Sequence, residues 1–184
     1  MTTNKPRLFI WADSPTASTG FGIVTKNLCE YLKDYFTIGI LGINYKGMEQ
    51  YDASKYFIYS VDSTDPLGFI KFKYCFEDFK PDVVLLFQDI WNVFTIKMKY
   101  PEVLKEYPTV MYFPVDGKPF SHAWEETLLD GTEIITYTDW AKEAIYETLP
   151  ELKNKLNIHA IAHGIDHSIF RPLPQKDIDH KDSL

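Results

Sequence analysis

Leu8-Phe9-Ile10-Trp11-Ala12 runs straight into Asp13-Ser14-Pro15-Thr16-Ala17-Ser18-Thr19-Gly20-Phe21-Gly22. The first five residues are uninterruptedly apolar. They are too few to cross a membrane and suit a strand buried on both faces. The next ten are small, hydroxyl-bearing or glycine, and Pro15 disfavours helix at Ser14. Val24, Leu28, Tyr31, Leu32 and Tyr35 then recur at helical spacing, which predicts a helix over Ile23 to Tyr35. Ser18 or Thr19 can cap it, and Gly20 and Gly22 let another group approach the backbone. A strand, a small-residue loop and a helix N-terminus together favour an anion such as a phosphate or carboxylate. The competing reading is a tight strand-to-helix turn that binds nothing.

Two familiar phosphate motifs are absent. A dinucleotide fingerprint would need glycine at position 25, which is Thr25, and a carboxylate after the second strand, where Asn44 and Tyr45 stand. There is no Gly-Lys-Ser or Gly-Lys-Thr, so the loop is not a Walker P-loop.

Outward from this unit, strands and helices alternate. Strands are expected at Thr37–Ile43, Tyr56–Tyr59, Val83–Phe87, Thr109–Phe113, Glu133–Tyr137 and Ile158–Ala162. Between them, a helix is expected from Pro66, capped by Asp65, to Lys80. Another runs from Val93 to Lys105, broken or kinked at Pro101. A short one covers Ser121–Leu129, and one capped by Asp139 ends before Pro150. Gly39 and Gly42 mark close packing against the second strand. The pattern predicts an α/β doubly wound, mainly parallel sheet with helices on both faces, a Rossmann-like unit over residues 1–172. Residues 173–184 read as a polar tail or the start of a linker.

The chain has 184 residues, 45% of them hydrophobic, and a formal charge of −7. That length supports one domain with a real core. The charge argues against a protein coated with nucleic acid or held to anionic lipid. Cys29 and Cys75 lie in helical segments, out of any ligand spacing, and read as reduced cytoplasmic cysteines. No transmembrane segment or signal peptide is visible.

In an open parallel sheet, ligands sit beyond the carboxyl ends of the strands. The polar residues there are Asp13, Asn44, Gln88, Asp89, Asp116, Thr138, Asp139 and His163, and the fold would gather several on one rim. Asp139 reads better as a helix cap. Asp116 is divided between a site role and Asp-Gly turn chemistry. His163 and His167 are four apart, but Gly164 argues against the helix that a zinc pair would need, so no metal site is expected.

Three segments, in this order and spacing, carry a resemblance. They are Ser18-Thr19-Gly20-Phe21-Gly22 after the first strand, Lys80-Pro81-Asp82-Val83-Val84-Leu85-Leu86, and Ile161-Ala162-His163-Gly164-Ile165-Asp166-His167-Ser168-Ile169-Phe170-Arg171-Pro172. Together they resemble the N-terminal half of a GT-B glycosyltransferase, most like glycosyltransferase family 4. The resemblance covers roughly Arg7 to Pro172. It implies two Rossmann-like domains facing across a cleft, the first for the acceptor and the second for a nucleotide-sugar. Ser18, Thr19, Gly20, Phe21 and Gly22 would then lie by the donor phosphates. Asp13, Gln88, Asp89 and His163 would line the acceptor side. Many relatives carry a catalytic-region histidine after the strand that here is Thr109–Phe113; this chain has Asp116, which would stand in for it. The resemblance implies no cofactor beyond the nucleotide-sugar co-substrate. It also implies a donor domain in cis or in trans, without which this unit would be inactive.

Two rivals stand beside this reading. One is a non-enzymatic Rossmann-like interaction module. The other is a nucleotide-dependent oxidoreductase, disfavoured by Thr25 and the missing ribose carboxylate. A nucleic-acid acceptor is not favoured: Lys71, Lys73, Lys97 and Lys99 could form a phosphate-binding strip, but in so acidic a chain they read better as an ordinary solvated face. Trp91, Phe120 and Trp124 could stack on a sugar or base, with core packing as the alternative. Self-association through a bare cleft face is a further expectation.

Overall fold

The computed structural model describes residues 5–168 and 170–172. The polar tail at 173–184 lies outside them. Among the described residues seven parallel strands form one sheet: β1 (Arg7–Asp13), β2 (Thr37–Ile43), β3 (Phe57–Ser60), β4 (Val83–Phe87), β5 (Thr109–Phe113), β6 (Glu133–Thr136) and β7 (Ile158–Ala160). Their order is β3-β2-β1-β4-β5-β6-β7. The chain therefore reverses direction between β1 and β4, with Leu8 opposite Val83 and Ala12 opposite Phe87. This is the crevice where such sheets bind ligands. The doubly wound α/β expectation holds.

Among the described residues six α-helices connect the strands: α1 (Gly20–Leu32), α2 (Phe72–Phe79), α3 (Ile90–Lys99), α4 (Pro101–Glu106), α5 (Glu125–Asp130) and α6 (Asp139–Thr148). Right-handed crossovers decide which face each one covers. Of the two leftward steps, β1 to β2 puts α1 on one face and β2 to β3 carries no helix. The rightward steps put α2 to α6 on the other. The core divides accordingly. Phe9, Trp11, Leu86, Met111 and Phe113 pack with Phe72, Val93, Leu128 and Ile145. Ile10, Ile40, Leu85, Phe87 and Tyr112 pack with Cys29, Val24 and Leu28 of α1. Both faces carry helices, but in a ratio of one to five.

Several boundaries move, each for a local reason. Helix α1 starts at Gly20 rather than Ile23, because Thr19 provides the cap. Helix α2 starts at Phe72, not Pro66. The Asp65 carboxylate instead accepts from the N–H groups of Phe69 (2.9 Å) and Ile70 (2.7 Å), holding a turn that contains Gly68 at φ 72°. Tyr100 separates α3 from α4, and Pro101 opens the second. The 121–130 segment begins as a 3-10 turn, His122–Trp124, before α5. At α6 the cap is Thr138, whose hydroxyl accepts from Ala141 N–H at 3.1 Å; Asp139 is the first helical residue and not the cap. Gly39 and Gly42 do mark close packing: a Cβ would fall 2.5 Å from the Phe79 ring at the first and 2.7 Å from Ile58 Cγ2 at the second.

Both cysteines are buried and free. Burial pushes the Cys29 thiol up to about 12 and the Cys75 thiol up to about 11, so neither is a ready thiolate. Among the described residues no helix is long and apolar enough to cross a membrane.

Candidate functional site

Asp13 ends β1 and is buried. Three donors converge on it: Thr19 Oγ1 at 2.6 Å, Gln88 Nε2 at 2.9 Å and Asn44 Nδ2 at 3.3 Å. Asn44 can turn back toward it because it adopts the left-handed conformation, φ 68°, that asparagine tolerates. Gln88 is itself fixed by Asn92 Nδ2 at 3.3 Å. The result is a hydrogen-bonded chain from the first turn of α3 to the N-terminus of α1.

Thr19 is the hinge of that chain. Its hydroxyl donates to Asp13 and accepts from Gly22 N–H at 2.9 Å, and its carbonyl accepts from Ile23 N–H. The Gly20 and Phe21 N–H groups keep no partner among the described residues. They are the free donors at the positive end of α1. The two glycines differ. A Cβ on Gly20 would meet nothing within 4 Å, so this backbone is open to a ligand. A Cβ on Gly22 would fall 2.5 Å from Ala17 O and 2.8 Å from Ser14 O. What approaches Gly22 is thus the loop itself. Thr25, where a dinucleotide motif would have glycine, is buried and returns its hydroxyl to Phe21 O at 2.9 Å. Ser18 is exposed beside the cap.

Asp89 and Asp116 follow β4 and β5. Asp89 precedes α3 but makes no side-chain capping bond. Its carboxylate is half-buried and raised above the ordinary aspartate range, by burial first, then by the charges of Asp116 and Asp13. Three of the sequence-derived carboxylates therefore share one electrostatic neighbourhood. No lysine or arginine pairs with any of them among the described residues. The rim is acidic, which suits a hydroxyl that must lose a proton and opposes a second anion.

His163 rests on an aromatic shelf. Its ring centroid is 4.2 Å from Tyr137, 5.7 Å from Tyr112 and 6.5 Å from Phe87. Desolvation there holds its imidazole below the usual value, favouring the neutral ring. Tyr137 links shelf to rim: burial raises its phenol most, with Tyr112, Asp89 and Asp116 adding to the rise.

Other candidates resolve differently. Lys97 is not on a solvent face; it lies 3.3 Å from both Glu126 and Asp130. Lys71 faces Asp62, and Lys73 faces Glu77 and Glu102. Lys71, Lys73 and Lys97 are thus interleaved with carboxylates, which disfavours the phosphate-binding strip. Phe120 is buried and packs edge-on to Trp124 at 4.9 Å, so it is core; Trp91 remains 48% exposed. Asn92 was missed as a site residue, although its place four residues after Gln88 on the opening turn of α3 was a usable signal.

No protein-family model matches the chain, and no curated protein sequence does. A solved structure does resemble it: UGT71G1 of Medicago truncatula complexed with UDP-glucose, with TM-score 0.55 and 13% identity over 96% of this chain. That protein is a GT-B glycosyltransferase of family 1. The likeness is one of fold. It supports the GT-B architecture and does not single out family 4. The match covers 56% of the plant chain, so this chain spans about half of its length.

Proposed function

We propose that this chain is the acceptor-binding half of a glycosyltransferase that moves a sugar from a nucleotide-sugar to an acceptor hydroxyl. The donor-binding domain would be supplied in cis or in trans. The observation that carries the reading is the pairing of chemistries on one rim. The open N–H groups of Gly20 and Phe21 lie at a helix N-terminus, and the uncapped Asp89 carboxylate lies near Asp116. In the reaction, the acceptor oxygen bonds to the anomeric carbon, and the bond from that carbon to the nucleoside diphosphate breaks. The bonding pair leaves on the phosphate oxygen, and the hydroxyl proton goes to a base. The N–H donors suit the developing phosphate charge. A carboxylate raised by burial and like charge suits the proton. Asp116 takes the position beside the reacting sugar, and Asp89 is its partner. The acidic rim also explains a division of labour: three carboxylates repel a diphosphate, so its main cationic contacts belong on the facing domain.

The test is an amide-resolved NMR titration of the chain with UDP-glucose and with glucose 1-phosphate. Shifts confined to Gly20 through Ile23 are expected, with Asp89→Asn strengthening the response. Unchanged amides in that loop at millimolar ligand would overturn its phosphate role.

A further inference from the structure

We draw no further inference here: the strongest candidate, the apolar cavity of about 690 Å³ between α1 and the 161–167 segment over strands β4 to β6, carries none, because nothing in the structure shows what covers this sheet face.

Discussion

Asp13 and Asp89 end neighbouring strands, and their positions in the sequence look alike. Their surroundings differ. Asp13 is buried beneath three donors and joins Thr19, Asn44 and Gln88 into one piece. Asp89 is half-exposed, caps nothing with its side chain and is raised by burial and by like charge. One carboxylate holds the rim together and the other is left to react. Three fixed donors hold the Asp13 carboxylate in one orientation. The Asp89 carboxylate, raised by burial and by neighbouring carboxylates, is the one suited to take a proton.

The sharpest way to break this contrast is to remove each group. Asp13→Ala strands three donors, one of them on the buried Gln88. It should cost about 2–3 kcal/mol in urea denaturation. Asp89→Asn should change stability by no more than about 0.5 kcal/mol. Equal losses at the two positions would erase the distinction. The same contrast exists between the loop glycines. Gly22→Ala drives a methyl into two backbone carbonyls and should cost about 1–3 kcal/mol. Gly20→Ala enters open space at a helix start and should stabilise by about 0.4–1 kcal/mol. Thermal unfolding of the pair checks this, and similar Tm values for both variants would refute the assignment of Gly22 to loop packing.

The smallest effect concerns titration. Asp116 is the second cause of the raised Asp89 value, after burial. Asp116→Asn should therefore lower the Asp89 pKa without returning it to the ordinary value, as read by carboxyl 13C shifts against pH. The sign extends to stability. The fold favours protonated Asp89, so that contribution is complete below the model-peptide value of 3.8 and is lost as pH rises through the folded value. A pKa unchanged in the variant would place Asp116 outside the rim.

Most strands were legible, because runs such as Val83–Phe87 and Thr109–Phe113 are apolar and sharply punctuated. What failed was punctuation that serves two purposes. Asp65-Pro66 has the composition of a helix start, yet Gly68 and the Asp65 carboxylate turn it into a closed loop. Lys97 lies on a helix with Lys99 and looks solvated in one dimension, but its neighbours Glu126 and Asp130 arrive from a later helix. The rim candidates came from strand ends, and the sheet brings Asp13, Gln88, Asp89 and Asp116 together. Which of them is engaged and which is free depends on β1 lying against β4, a pairing of residues about 75 apart that local pattern does not encode. The asymmetry of the helices follows from strand order and crossover handedness together with the helix-free connection from β2 to β3, which the sequence reading of Asn44 to Ser54 as a loop already contained.

That same pairing sets a timetable for the ribosome. β1 can zip to β2 once Ile43 has emerged, but its other edge waits for Val83, roughly forty residues later. At about 5–20 residues per second, an apolar strand edge stays unpaired for several seconds in every nascent chain. β1, an interior strand of the finished sheet, is thus an exposed adhesive edge during synthesis until β4 captures it.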